Sequence, residues 1–135
     1  MMYMLDTNVC IYAINKKPVL YIEKFKKLKQ HYIIIISSIV LSELQYGVSN
    51  SNHKEQNQIN LDNFLSKLEI ISYCANSALY YGELRADLKA KVIIIGGNDL
   101  LIASHALCEN ATLITHSCSK FKRVPGLLIE NWDEN

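Results

Sequence analysis

Three acidic residues stand where buried-looking segments hand over to helices. Asp6 closes the apolar run Met1-Met2-Tyr3-Met4-Leu5 and is followed at once by Thr7-Asn8. Glu43 follows Ile33-Ile34-Ile35-Ile36 and the pair Ser37-Ser38, and Asp99 opens the helix-like stretch Asn98-Asp99-Leu100-Leu101-Ile102-Ala103 after Gly96-Gly97. In an open parallel sheet ligands gather at the carboxyl ends of the strands, so an acid ending a first strand points into the site. Carboxylates drawn together without a counter-ion repel one another, which raises at least one pKa and costs stability. A divalent cation relieves that repulsion. Oxygen-only ligands select magnesium or manganese, and magnesium uses one or two protein carboxylates while leaving positions for water and substrate phosphate. Such a site orients and activates water for in-line attack on phosphorus and stabilises the leaving oxygen, which is phosphodiesterase chemistry.

Each acid also has a plainer reading. Asp6 is placed to N-cap the helix after it, a role compatible with metal binding. Glu43 fits an exposed carboxylate on an amphipathic helix, and Asp99 fits a first-turn acid facing the helix dipole. The combination, and no single acid, points to a metal site.

The elements that must position these groups follow from pattern. Residues 1–5 read as a strand, 7–14 as a short helix, and Pro18 starts a second helix that runs to about residue 29. Residues 32–36 are β-branched and short, hence a strand. Ser38 is the expected N-cap of a helix over 39–46, with Gly47 near its end, which puts Glu43 one turn inside. After a polar connection at 49–52, apolar residues recur at helical spacing from Ile59 to Leu68, before a short strand at 69–73. Residues 75–91 form a long helix with Leu79, Tyr80, Leu84 and Leu88 on its apolar side. The Asp99 helix runs to about Cys108, residues 112–115 make the next strand, and 127–129 add an edge strand. Strands alternating with helices predict an α/β sandwich around a mostly parallel sheet.

The chain has 135 residues, half of them apolar, which fits one domain spanning 1–135. No internal repeat, low-complexity tract or linker interrupts it. The formal net charge is +1, so attraction to nucleic acid must come from local basic patches. Cys10, Cys74, Cys108 and Cys118 show no zinc spacing and read as reduced, mostly core, thiols. No secretory signal opens the chain, and residues 32–41 reach only about half the ~20 residues a membrane span needs. A soluble, cytoplasmic protein is expected.

Taken together, Met4-Leu5-Asp6-Thr7-Asn8, Ser42-Glu43-Leu44 with Tyr46-Gly47, the block from Ile95 to Leu107 and Leu113-Ile114-Thr115-His116 resemble a PIN-domain ribonuclease. The pattern is closer still to the VapC toxins of type II toxin–antitoxin pairs, and it extends to Phe121-Lys122-Arg123-Val124-Pro125-Gly126-Leu127 and Glu130-Asn131-Trp132. The resemblance implies a PIN-like α/β/α sandwich. It also implies that Asp6 and Asp99 are the principal ligands of Mg2+, with Mn2+ as a substitute, and that Glu43 holds or polarises water. Thr7, Asn8, Asn98 and Thr115 shape the site or satisfy backbone donors. Two departures stand out. Ser117 occupies a position where the family often has Asp or Asn, so it supplies no charge to a second metal. Val92-Ile93-Ile94-Ile95 replaces a loop that commonly holds Gly and Pro.

The same resemblance implies RNA as substrate, homodimerisation, and a small VapB-like antitoxin that wraps the domain and covers the acidic pocket. Ile11, Tyr12, Tyr21 and Phe25 are either contacts for that partner or ordinary core. Lys120, Lys122 and Arg123, and with less support Lys16-Lys17 and Lys24/Lys26/Lys27/Lys29, could hold RNA phosphates. His105 reads as a packed, hydrogen-bonded residue, while His116, nearer the acids, is a candidate RNA contact. Arg85 and Asp87 read as members of local pairs. The leading expectation is a toxin that cuts an RNA needed for translation. A catalytically weak PIN-like RNA-binding or assembly module, kept open by Ser117, and a receiver-like phosphoacceptor domain are the alternatives.

Overall fold

The computed structural model describes residues 1–17 and 19–132; Pro18, expected to start the second helix, lies outside them. Its strands are short apolar runs. These are β1 (Met2–Leu5), β2 (Ile33–Ser37), β3 (Glu69–Ile71), β4 (Thr112–Ile114) and β5 (Ile129–Glu130). Among the described residues they form one sheet in the order β3-β2-β1-β4-β5, with every pairing parallel. The mostly parallel sheet expected from sequence is thus parallel throughout. Met4 faces Ile35 across β1 and β2, and Leu5 faces Ile114 across β1 and β4. Met4, Leu5, Ile34, Ile35, Ile36, Leu113 and Ile114 are all buried, as strands covered on both faces require.

The helices are α1 (Thr7–Asn15), α2 (Val19–Lys29), α3 (Ser38–Ser49), α4 (Lys54–Leu65), α5 (Ala75–Ala90), α6 (Gly97–Cys108) and the short α7 (Cys118–Phe121). Tyr21, Phe25, Val40, Leu61, Phe64, Leu84, Ile102 and Phe121 are buried and join the strands in one hydrophobic core. No helix among the described residues is long and apolar enough to cross a membrane.

Several local expectations need correction. Ser37, not Ser38, caps α3: its Oγ accepts from the Ile39 backbone N–H at 3.1 Å. Ser38 instead accepts from the Tyr73 N–H at 3.0 Å, tying α3 to the end of β3. The helix runs past Gly47 to Ser49, so Glu43 sits in its second turn. β3 stops at Ile71 rather than continuing to residue 73, and the edge strand begins at Ile129. On α5, Leu84 and Leu88 are buried as expected, but Leu79 and Tyr80 are exposed, with Ser77 buried in their stead. Arg85 and Asp87 do form local pairs as expected, Arg85 donating to Tyr81 Oη and Asp87 pairing with Lys91. Of the cysteines only Cys10 is buried; Cys74 is exposed and the other two are intermediate.

The Val92 backbone shows where the unusual 92–95 loop carries strain. Val92 follows the C-cap of α5 at φ 58°, a left-handed conformation that suits glycine and crowds a β-branched side chain. Its N–H bonds Lys89 O and the next N–H bonds Leu88 O, so the cap geometry is fixed despite the residue. Val92→Gly should therefore stabilise the protein by about 1 kcal/mol, a net of relieved strain and added unfolded-state freedom. A rise of a few degrees in melting temperature checks this; an unchanged or lower value would contradict it.

Candidate active site

β1 lies at the centre of the sheet, with β2 and β3 on one side and β4 and β5 on the other, so the chain reverses direction of travel between β1 and β4. Crevices at such a crossover, beyond the carboxyl ends of the strands, are where open parallel sheets hold ligands. Asp6 occupies this point. Its backbone N–H extends the ladder to Ile114 O at 3.0 Å, and its side chain turns into the N-cap of α1, Oδ1 accepting from the Thr7 N–H at 2.8 Å. Oδ2 accepts from Thr115 Oγ1 at 2.8 Å across the crossover. Capping and site formation thus coexist in one carboxylate.

The polar contacts continue on both sides. Thr7 Oγ1 donates to Glu43 Oε1 at 2.7 Å, which fixes the α3 carboxylate beside the first strand's end. Thr115 is fully buried, and its Oγ1 also accepts from the Ser117 N–H at 2.9 Å. Asp99 lies in the first turn of α6, whose N-cap, Gly96, offers no side chain. A Cβ at Gly96 would stand 3.4 Å from Asp99 Oδ2, which places that carboxylate beside the helix end. Lys120 Nζ lies 2.7 Å from the same Oδ2.

Burial raises the pKa of Asp6, and the negative charge of Asp99 adds to the effect. The bonds from Thr115 and Thr7, and the Lys120 charge, act in the opposite direction. Burial likewise pushes the Cys10 thiol well up, with Asp6 and Glu43 contributing, so Cys10 is a packed thiol rather than a nucleophile.

Sequence reasoning and structure meet unevenly here. Asp6, Thr7, Glu43, Thr115 and Ser117 form one hydrogen-bonded run, and Asp99 acts electrostatically on Asp6. Asn8 and Asn98 are exposed. Lys122 and Arg123 are exposed too, whereas Lys120 is drawn to Asp99. His116 lies among aromatic rings, with Tyr21 Oη 2.8 Å from its Nδ1 and the Tyr12 and Tyr21 centroids at 4.7 and 5.2 Å. His105 is buried as expected, its Nδ1 2.8 Å from Ser37 Oγ. Ser37 and the counter-ion role of Lys120 were not read from sequence. The signal for Lys120 was the cluster itself: three acids in separate motifs with no basic residue in any of them.

The donor set tests whether a divalent ion fits. Among the described residues no three His, Cys, Asp or Glu side chains stand as a ready-made metal-holding group. Asp6, Glu43 and Asp99 nonetheless offer carboxylate oxygens alone, the hard donors that magnesium and manganese prefer, and magnesium needs few of them. Burial, with a smaller contribution from Asp99, raises the Asp6 pKa, and Lys120 stands at Asp99, so the site holds negative charge that a cation would offset. The residues fit the ion.

Thr115→Val tests the bracing of Asp6 without changing side-chain shape. It removes a hydrogen bond to a buried carboxylate and leaves the Ser117 N–H without its acceptor. A loss of about 2 kcal/mol in folding stability and roughly 10–100-fold in site activity is expected. Chemical denaturation and catalytic assays check both; unchanged values would show that Thr115 only fills space.

A fully parallel sheet with acids gathered at its crossover is an arrangement suited to metal-assisted phosphodiester chemistry. The PIN-domain family model matches residues 3–127. The chain is 60% identical to ribonuclease VapC2 of Rickettsia felis over 134 residues, covering 99% of this chain and 100% of that protein. It is 38% identical to the tRNA(fMet)-specific endonuclease VapC of Salmonella typhimurium, covering 96% of this chain and 97% of the relative. Among solved structures, VapBC2 from Rickettsia felis bound to a promoter DNA fragment matches with a TM-score of 0.94 and 61% identity, over 98% of this chain and 100% of that one. The chain belongs to the PIN-domain family and, within it, to the VapC ribonucleases. PIN-domain ribonucleases generally depend on a divalent metal. The receiver-like alternative is thereby set aside.

Proposed function

We propose that this chain is the toxin of a type II toxin–antitoxin pair, one cytoplasmic domain over residues 1–135 that cuts RNA needed for translation with Mg2+, or Mn2+ in its place. The observation that supports this most is the Asp6 carboxylate, buried and doubly hydrogen-bonded at the strand crossover, with Glu43 and Asp99 coupled to it. In this reading Asp6 and Asp99 hold the metal. When bound, the ion supplies Lewis acidity to the phosphate and lowers the pKa of water. Thr115 and Thr7 fix the Asp6 oxygens, so little reorganisation accompanies reaction. Glu43, held by Thr7, orients the attacking water and takes its proton. Ser117 offers a hydroxyl without charge.

The relatives' names direct the substrate test. The Salmonella typhimurium relative is named as tRNA(fMet)-specific, and exposed Lys122 and Arg123 supply charges for RNA phosphates beside the site. Purified protein should cut initiator tRNA in preference to elongator tRNAs, at discrete positions located by end mapping. Equal cutting of all tRNAs would reject that specificity. Binding without any cutting would favour the weak-module reading that Ser117 keeps open.

The solved relatives include VapBC complexes, and the inhibitor in this reading is a VapB-like antitoxin. A groove of about 240 Å³ runs past Glu43, lined by Ile11, Ile14, Leu44, Val48 and Leu61, and suits an apolar segment that closes the site. Tyr21 and Phe25 are core, while Ile11 and Tyr12 are partly exposed and available to that partner. Exposed Leu79, Tyr80, Val92 and Ile94 give apolar surface for the expected homodimer.

A further inference from the structure

Lys120 differs from the basic residues around it. It is half-buried on α7, and its ammonium lies 2.7 Å from Asp99 Oδ2, a side chain on a different helix. Its charge also reaches Asp6, where it opposes the effect of Asp99. Asp6 and Glu43 are held by hydroxyl and backbone donors, which carry no formal charge, while the bond to Asp99 comes from Lys120. Lys120 is the cation the cluster already contains.

We infer that Lys120 is a tethered counter-ion that competes with the divalent metal for Asp99 and limits the site to one tightly held ion. The inference rests on the metal-site reading above. An ammonium hydrogen-bonded to Oδ2 commits that oxygen, and two cations a few ångströms apart repel, so metal entry at Asp99 is an exchange in which the ammonium withdraws. The lysine stem permits this, because its compact charge sits on a flexible four-carbon chain. Three carboxylates, one divalent ion and one lysine are together neutral. A second divalent ion would find an excess of positive charge, and Ser117 adds no carboxylate to offset it. The withdrawn ammonium stays within a side-chain length of Asp99, where it meets the phosphate of a bound strand.

The test is a Mn2+ titration of the purified protein, following free Mn2+ by electron paramagnetic resonance, for wild type, Lys120→Met, Lys120→Arg, Lys120→Glu and Asp6→Asn. Wild type should bind one ion. Lys120→Met should bind one ion more tightly, on the order of tenfold, while Lys120→Arg, which keeps the charge, stays close to wild type. Lys120→Glu should bind more tightly still and take up a second ion. Lys120→Met binding no more tightly than wild type, or Lys120→Arg matching Lys120→Met, would overturn the counter-ion role. If wild type binds no ion, or Asp6→Asn binds as wild type does, the metal-site reading itself fails, a pattern distinct from the first. Lys120 is over a third exposed, so these substitutions leave the core untouched.

Discussion

Asp6→Asn is expected to abolish RNA cleavage, by roughly 10³-fold or more, about 4 kcal/mol of transition-state stabilisation, while the metal-free protein should become more stable. Both halves follow from the same carboxylate. Asn can still accept from the Thr7 N–H through Oδ1, and its Nδ2 can donate to Thr115 Oγ1 with the direction of that bond reversed, so the α1 cap and the β1–β4 crossover keep polar partners. What it lacks is the charge that holds the metal. The stability gain comes from burial. Asp6 has a folded-state pKa above its unfolded value, so the folded state binds the proton more tightly between the two values. Stability from this group is therefore complete below the unfolded carboxylate pKa and is lost as pH rises through the raised folded pKa. At neutral pH, with chelator present, Asp6→Asn should melt above wild type; below the ordinary carboxylate range the difference should vanish. A variant that melts lower at neutral pH would show that the favourable interactions of the charge outweigh the cost of burying it.

Asp99→Asn should be as inactive, again by roughly 10³-fold, but with a different stability signature. Asp99 carries an ion pair to Lys120 in which both groups keep partial exposure, worth about 0–1 kcal/mol. Losing it is offset by removing a charge that repels Asp6. The melting temperature should move little, and the pH dependence of stability due to Asp6 should weaken. Two substitutions with equal loss of activity and unequal effects on stability separate a working site from general damage to the fold. Residual activity near wild type in Asp99→Asn would remove that residue from the metal site.

The frame of this protein was readable because its strands are short β-branched or apolar runs and its helices have clear period and punctuation. The short apolar runs ending in Leu5 and Ile36 read as strands and prove to be β1 and β2, and Gly96-Gly97 marked the start of α6. Boundaries were harder where two equivalent residues compete. Ser37 and Ser38 are both capping residues, and only the path of β2 decides that Ser37 bonds Ile39 N while Ser38 reaches Tyr73. The exposed side of α5 was missed because Leu79 and Tyr80 have the spacing of a core face, and burial depends on what packs against it.

The candidate site followed the same division. The three acids were visible from their position at element starts, but their linkage was not, since Thr7–Glu43 spans 36 residues and Thr115–Asp6 spans 109. Lys120 looked like a phosphate-binding lysine because it belongs to a basic run. Folding also places its ammonium on Asp99, a contact across 21 residues that no local pattern encodes.

The most direct test of the central claim is cleavage of total cellular RNA by purified, antitoxin-free protein with magnesium, with manganese and with chelator, beside Asp6→Asn prepared identically. Discrete products that require either metal, disappear with chelator and are absent from the variant are the predicted result. Products that persist in chelator or in Asp6→Asn, or no cleavage by the folded wild type with either metal, would contradict it.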